Sequence, residues 1–363
     1  MNEKMENEKA PGVDTGALST ATTAVDLHNL AEVEDAKLRK MTGKSYSQGQ
    51  LVWRRFRSHR AAMISLVILG CIVLIAFTSI GLGGIPGWWD KPFSATGAVV
   101  NGGRPSFADG HPFGQDSLGR DYFAMVMRGT QQSLVVAFIV GIVSTTLGAL
   151  IGAIAGYFRG WVDAVLMRLT DLVIVVPLLV LAAVLGKISN GGILTLSFVL
   201  GLVTWTGLAR LVRGEVLSLR EKEYVAAAIS MGAKPARVIF KHLLPNTIGV
   251  IVVNATFAIS SAILLETSLS YLGFGVQPPD TSLGLLISQN EKAFTTRPWL
   301  FWWPGLTILT IALTVNFIGD GLRDAFDPRQ TGKLSRKRLL GLSSREKALK
   351  PVTKKAAKGS ENV

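Results

Sequence analysis

Residues that could carry out catalysis are few and scattered along this sequence. The four histidines fall in separate segments, at His28, His59, His111 and His242, and Cys71 is the only cysteine. Their spacing fits no metal site, and no phosphate-binding loop, nucleophile turn or dinucleotide fingerprint occurs. The sequence therefore predicts no catalytic residue, no metal site and no cofactor bound directly. Any energised work must draw its energy from another chain.

One ionisable residue, Glu266, lies inside a long apolar segment. Asn254, Ser260 and Ser261 lie in the same segment. An ionisable group at membrane depth is costly, and it usually faces a cavity, a partner or water. Two interpretations stay open. Asn254, Ser261 and Glu266 line a polar pathway, or Glu266 lies near the membrane interface and pairs locally.

The composition indicates a membrane protein. Of 363 residues, 48% are hydrophobic and only 17% are charged, against roughly 25% charged residues in a soluble domain. The net charge of +13 would suggest nucleic acid as a partner of a soluble protein. However, 29 of the 38 Lys and Arg residues fall in segments 1–60, 210–241 and 323–363. Basic residues concentrated between apolar segments indicate cytoplasmic faces and contact with lipid, so nucleic acid is not expected.

Six apolar segments are long enough to cross a membrane, since a spanning helix needs about 20 residues. They are residues 61–83, 129–158, 162–186, 188–209, 245–271 and 298–319. The third includes charged residues because its apolar part, 172–186, is too short alone. An even number of spans places both termini on one side, in agreement with the basic segments. The prediction is an all-α, multi-pass membrane protein with six transmembrane helices and cytoplasmic termini.

The segments outside the spans differ in composition, and they divide the chain. Residues 1–50 are predicted to be a disordered cytoplasmic tail, 61–329 the transmembrane domain and 330–363 a basic cytoplasmic tail. Residues 84–128, rich in turn-forming types, predict an ordered cap on the outer side. Residues 51–60 contain Trp53, Arg54, Arg55, Phe56, Arg57 and Arg60. They fit an interfacial helix on the inner leaflet or, equally, ordinary charge flanking a span.

Four glycines of the second span lie on or near one helix face. Gly141, Gly148, Gly152 and Gly156 follow one another at spacings of 7, 4 and 4 residues. Small residues at such spacings let helices approach closely. They predict helix packing.

Residues 213–246 form a polar, basic island between two apolar segments. Good helix formers predict a helix from Glu215 to Met231 that ends at Gly232 in the left-handed conformation. Pro235 then opens a second short helix. The consecutive alanines at 226–228 leave an unobstructed face, so the loop is interpreted as a docking element.

Within this island, Tyr224 to Pro245 resembles the cytoplasmic coupling loop of ATP-binding-cassette importer permeases. The family pattern is E-A-A, three residues, G, nine residues, then I-x-L-P. Here Ala226-Ala227-Ala228, Gly232 and His242-Leu243-Leu244-Pro245 occupy those positions. Ala226 and His242 depart from the pattern, and Glu223 supplies an acidic group one helical turn earlier.

Three further stretches resemble the peptide and nickel subfamily, specifically the shorter of its two permease subunits. They are HPFGQDSLGRD at 111–121, with Gln115 where threonine is usual, LLETSLSYLGFGVQPP at 264–279 and NFIGDGLRDAFDPR at 316–329. All lie in the order and topology of that group.

The resemblance implies the type I importer permease fold, a location in the bacterial cytoplasmic membrane and a set of partners. A homologous permease would complete one pathway, ATPase subunits or one fused double ATPase would bind ATP and Mg, and an external binding protein, contacted by the cap, would deliver the substrate. Peptides are expected as the substrate, with nickel as the rival. The resemblance assigns coupling to Glu223, Tyr224, Ala227, Ala228, Gly232, Ala233, Lys234, Arg237 and Pro245. An ATP-independent channel or carrier and a non-transporting membrane scaffold remain the alternatives from other classes.

Overall fold

The chain, examined as a computed structural model, is described at residues 47–81, 85–188 and 192–326. The predicted tails, 1–50 and 330–363, lie outside these residues except for 47–50. In chain order the helices are α1 Gln48–Ser58, α2 Arg60–Ser79, α3 Tyr122–Phe158, α4 Gly160–Val175, α5 Leu178–Ile188, α6 Ile193–Thr204, α7 Thr206–Arg220, α8 Glu223–Ser230, α9 Pro235–Val238, α10 Leu244–Tyr271, α11 Leu283–Asn290 and α12 Trp299–Phe326. A π-helical turn, Ile239–Leu243, joins α9 to α10. Residues 52–326 form one compact unit.

Four stretches of helix in the described ranges are long and apolar enough to cross a membrane: α2, α3, Pro235–Tyr271 and α12. Two further pairs pass the same test together but are bent. The bend is 87° between α4 and α5 and 43° between α6 and α7. The predicted count of six spans therefore requires that each bent pair be one span.

The third predicted span, 162–186, is not one continuous helix. Pro177 follows the end of α4, and Val176 before it is extended, with φ −77° and ψ 127°. Proline has no N–H to donate, and its ring disfavours helical geometry in the preceding residue. The bend is thus a local consequence of Pro177. Counting apolar residues along a segment does not take such a proline into account.

Helix α3 is the central helix of the unit, and its glycines are the points of closest approach. A Cβ added at Gly152 would lie 2.4 Å from the carbonyl oxygen of Ala209 in α7. Gly148 and Gly156 also face α7, while an added Cβ at Gly141 would lie 2.5 Å from Cγ1 of Ile259 in α10. The predicted packing role of the four glycines is confirmed.

Helix α2 stands at the edge of this bundle. It has no charged residue between Arg60 and Ser79, and much of its apolar surface is exposed in the single chain. Its Cys71 is exposed. This helix therefore presents a large part of its surface to lipid or to another chain.

Candidate functional site

The loop between α7 and α10 rests on a buried apolar base. On the loop's side the base consists of Val225, Val238, Ile239 and Leu243, and on the helices' side it includes Ala153 and Tyr157 of α3 with Val212 and Val216 of α7. Close packing of this kind resists deformation. The loop is therefore attached firmly to the two helices beneath it.

The same loop also exposes large apolar side chains. Met231 is 82% exposed and Phe240 60% exposed, and Tyr224 and Ile229 are exposed as well. All four fall within residues 224–240, and a concentration of exposed apolar groups marks a contact with another molecule. We call these four residues the apolar loop surface. Sequence analysis missed Ile229, Met231 and Phe240, although apolar types in an otherwise polar loop could have indicated them.

Gly232 closes α8 in a Schellman motif. Its φ is +81°, its N–H donates to the Ile229 carbonyl at 2.9 Å, and the N–H of Ala233 donates to the Ala228 carbonyl at 3.1 Å. These bonds satisfy carbonyls that a helix end leaves unpaired. The left-handed conformation predicted for Gly232 is confirmed.

The predicted single helix from Glu215 to Met231 is wrong, because α7 ends at Arg220 and α8 begins at Glu223. Between them Lys222 is extended, with φ −75° and ψ 143°. Val225 of α8 is buried in the same base as Val216 of α7, so tertiary packing turns the chain where helix propensity alone would continue it.

The proposed coupling residues do not all share one surface. Glu223, Tyr224, Ala227, Gly232, Lys234, Arg237 and Pro245 are exposed, and Ala233 is half-buried. Ala228 is only 5% exposed, so the three alanines do not form one open face. Of the two departures from the family pattern, Ala226 is exposed and His242 is half-buried.

Ion pairs join α4 and its preceding turn to α7 and the start of the loop. Arg213 of α7 makes two hydrogen bonds to Asp163 of α4, from Nε to Oδ1 at 2.5 Å and from a terminal nitrogen to Oδ2 at 2.6 Å. Arg210 pairs with Asp171 at 2.6 Å, and Arg159, before α4, pairs with Glu221. Two-point arginine–carboxylate contacts fix orientation as well as distance. The two carboxylates of the third predicted span, Asp163 and Asp171, are therefore paired.

We expect Asp163→Arg to separate α4 from α7, because it places two positive charges in contact. The amount of assembled transporter recovered from membranes should fall several-fold. The double variant Asp163→Arg/Arg213→Asp restores opposite charges and should recover most of the loss. Equal recovery of the single and double variants would show that the pair contributes nothing to assembly.

Glu266 is enclosed by the chain's own helices. It is 0% exposed, Ser133 of α3 donates to Oε2 at 2.9 Å, and Ser270 donates to Oε1 at 2.7 Å. The hydroxyl of Ser270 also accepts the N–H of Val276 at 3.1 Å. Glu266 thus connects α3 to the C-terminal end of α10 and the loop that follows.

The other two pathway candidates lie on a different face of α10. Asn254 is half-buried, with its amide donating to the Val250 carbonyl at 2.8 Å, and Ser261 is exposed. At 3.6 residues per turn, Asn254 and Ser261 are separated by about 20° around the helix and Glu266 by about 140° from Ser261. The structure therefore brings Asn254 and Ser261 together and keeps Glu266 apart.

The motif at 111–121 forms hydrogen bonds and an ion pair within the segment predicted to be the cap. Asp121 accepts the N–H of Ala124 at 2.9 Å and the indole N–H of Trp89 at 2.9 Å, and its other oxygen lies 2.7 Å from Nδ1 of His111. Arg120 pairs with Asp116 at 2.7 Å. Because Asp121 caps the N-terminus of α3, these contacts attach the cap to the central helix.

A second contact ties the first turns of α3 to the segment before α11. Arg128 donates two hydrogen bonds of 2.8 Å to Asp280, and Gln132 donates to the same carboxylate at 2.8 Å.

In the described ranges, no group of three His, Cys, Asp or Glu residues is arranged to hold a metal ion.

Comparison with known proteins identifies the family. Residues 148–332 match the family described as binding-protein-dependent transport system inner membrane component, and residues 47–82 match the N-terminal TM domain of oligopeptide transport permease C. The chain is 38% identical over 284 residues to the oligopeptide transport system permease protein OppC of Mycobacterium tuberculosis, covering 78% of this chain and 95% of that protein.

Two other relatives and one solved structure are similar. A putative peptide permease of Brucella ovis is 38% identical over 305 residues, covering 82% of this chain and 98% of the relative. OppC of Bacillus subtilis is 36% identical over 290 residues, covering 80% and 92%. A chain of the MetNI methionine ABC transporter, solved in inward-facing conformations, is 17% identical with a TM-score of 0.47, covering 56% and 97%. The chain belongs to the binding-protein-dependent transport system inner membrane components, the permease subunits of ATP-binding-cassette importers.

Proposed function

We propose that this permease imports di- and oligopeptides. With a homologous permease it forms one pathway, an external binding protein delivers the peptide, and partner ATPase subunits hydrolyse ATP. The substrate class is supported by the relatives from Mycobacterium tuberculosis, Brucella ovis and Bacillus subtilis, which are all named as peptide or oligopeptide permeases. Nickel is the alternative substrate.

The observation that carries the coupling role is the apolar loop surface on its buried base. Met231 and Phe240 are exposed, while Val225 and Leu243 of the same loop are packed with residues of α3 and α7. A partner ATPase that binds the exposed side would move the base with it. Because the base belongs to α3 and α7, the movement passes to the spans as a rigid-body displacement.

Around this surface the exposed cations Lys234 and Arg237 supply charged contacts, and Glu223 supplies the acidic group of the family pattern. Gly232 sets the direction in which the chain leaves α8. Pro245 sets the direction in which the chain enters α10. This loop and both termini face the cytoplasm in the proposal, as the concentration of Lys and Arg in those segments supports. The cap then faces outward and contacts the binding protein.

For the pathway we propose the face of α10 that carries Asn254 and Ser261. Polar side chains exposed on an apolar helix usually face a cavity or a partner. The homologous permease would enclose that face. Glu266 contributes indirectly, by holding the outer end of α10 against Ser133 of α3.

Reconstitution tests the proposal. The permease, its homologous partner, the ATPases and the binding protein are placed in liposomes, and uptake of a labelled peptide library is measured with ATP, with a non-hydrolysable analogue and without nucleotide. We expect uptake only with ATP, together with peptide-stimulated hydrolysis. Uptake without nucleotide would indicate a channel or secondary carrier, and ATP-dependent uptake of nickel but not of peptide would overturn the substrate class.

A further inference from the structure

The short helix α1 is attached to the body of the protein through one aromatic residue. Phe56 is buried in an apolar cluster with Ala62 of α2 and Ala325 of α12. A Cβ added at Gly321 of α12 would lie 3.4 Å from a ring carbon of Phe56, so the ring occupies space that the glycine leaves open. Contacts with both neighbouring helices therefore fix the position of α1.

The remaining surface of α1 is cationic and carries an exposed indole. Trp53 is 56% exposed, and the guanidinium carbon of Arg57 lies 5.9 Å from the centroid of its ring. Arg57 and Arg60 are exposed, and Arg55 is half-buried. In the part of the chain that the structure describes, no carboxylate pairs with these three arginines, and α1 contains no Asp or Glu. The nearby Asp324 carboxylate lies 3.5 Å from His59.

The position of α1 places this surface at the edge of the hydrocarbon layer. The apolar helix α2 begins at Arg60, and the Nδ1 atom of His59 accepts the N–H of Ala62 at its first turn. Phe56 of α1 packs near Ala325, at the C-terminal end of α12. The next residue, Phe326, lies near the start of α10, because a Cβ added at Gly249 would lie 3.1 Å from its ring. The coupling loop leads directly into this start of α10. Helix α1 therefore lies at the end of the bundle that carries the coupling loop.

We propose that α1 binds the headgroups of anionic phospholipids. Arg55, Arg57 and Arg60 contact the phosphates, and the indole of Trp53 lies at headgroup depth, where tryptophan is enriched. A polybasic segment beside a span is attracted to anionic lipid, while its apolar side stays in contact with the protein. The direct continuation into α2 favours lipid over nucleic acid or an acidic protein. This inference depends on membrane insertion and not on the substrate class.

The test measures lipid retention by the purified transporter. The complex is delipidated in detergent and incubated with phosphatidylglycerol or phosphatidylcholine, and bound lipid is counted by native mass spectrometry. We expect the wild type to retain phosphatidylglycerol selectively. Loss of each arginine should lower the apparent affinity roughly fivefold, so Arg55→Gln/Arg57→Gln/Arg60→Gln should lower it on the order of a hundredfold.

Two matched variants control for charge and location. Replacing the same three arginines by lysine keeps the charge and should retain most of the binding. Replacing the exposed Arg104 and Lys292 by glutamine removes charge on other segments and should change nothing. Phe56→Ala, which leaves the charge intact but loosens α1 from α2 and α12, should reduce selectivity for phosphatidylglycerol.

The proposal would be overturned if the wild type and the triple glutamine variant retained phosphatidylglycerol equally. It would also be overturned if the Arg104/Lys292 variant lost as much binding as the triple glutamine variant. A third contrary result is displacement of bound lipid by a short duplex oligonucleotide or an acidic peptide at a lower concentration than phosphatidylglycerol itself requires. Displacement by inorganic phosphate alone would show a free-anion site and would equally reject the lipid. None of these lipid-binding measurements requires ATP or a transported peptide. A negative result for lipid binding would therefore leave the proposed transport function intact, and a negative transport result would leave the lipid proposal intact.

Discussion

In Gly232→Trp, uptake is expected to fall more than tenfold while the permease still inserts and assembles with its partners. Gly232 has φ +81°, and an L-residue in this region costs roughly 1–2 kcal/mol. Relief of that strain would rotate the end of α8 and displace Met231, the most exposed side chain of the apolar loop surface. ATP hydrolysis should continue but lose its dependence on peptide.

Gly232→Asn is the control for the backbone explanation. Asparagine tolerates the left-handed region better than other non-glycine residues, and nothing lies within 4 Å of an added Cβ at this position. This variant should transport close to the wild-type rate. Normal coupled uptake by Gly232→Trp would refute the coupling role, whereas equal failure of both variants would show that the effect does not come from backbone conformation.

The second large effect is expected at Gly152 in α3. An added Cβ would lie 2.4 Å from the carbonyl oxygen of Ala209 and 2.9 Å from the Cβ of Val212. Both atoms belong to α7, and the carbonyl is backbone, so the helices themselves must separate. Overpacking of this kind typically costs about 1–3 kcal/mol. Gly152→Leu should therefore abolish recovery of assembled transporter, and Gly152→Ala should lower its melting temperature.

Gly214 of α7 provides the matched comparison. It is exposed, and nothing lies within 4 Å of an added Cβ. Gly214→Ala and Gly214→Leu should leave assembly and melting temperature unchanged, as measured by size-exclusion chromatography and thermal unfolding in the same detergent. Similar losses at both glycines would mean that helix separation is not the cause.

Local chemistry made several features predictable from the amino-acid sequence. The left-handed glycine at 232, the helix start at Pro235 and the glycine face of α3 each depend on the properties of a few neighbouring residues. The bend at Pro177 belongs to the same group. It was missed because the length of an apolar segment was weighed above the effect of its proline.

Other features depend on residues far apart in the chain. The partner of Glu266 across the helix interface is Ser133, and nothing near either residue indicates the other. The break between α7 and α8 likewise follows from burial of Val225 in a base formed with α3. Single-sequence patterns describe faces and ends of helices, but they do not show which faces meet.

The exposure of Cys71 on α2 has a practical consequence for measuring the motion of the loop. Because it is the only cysteine, one substitution yields a background without thiols. Since its side chain is exposed on a helix that faces lipid or another chain, the native residue is a site for a lipid-soluble spectroscopic label. A second label, at position 231, would then report one intramolecular distance, between Cys71 on α2 and the apolar loop surface. Changes in that distance through the nucleotide cycle could be followed by electron spin resonance or single-molecule fluorescence.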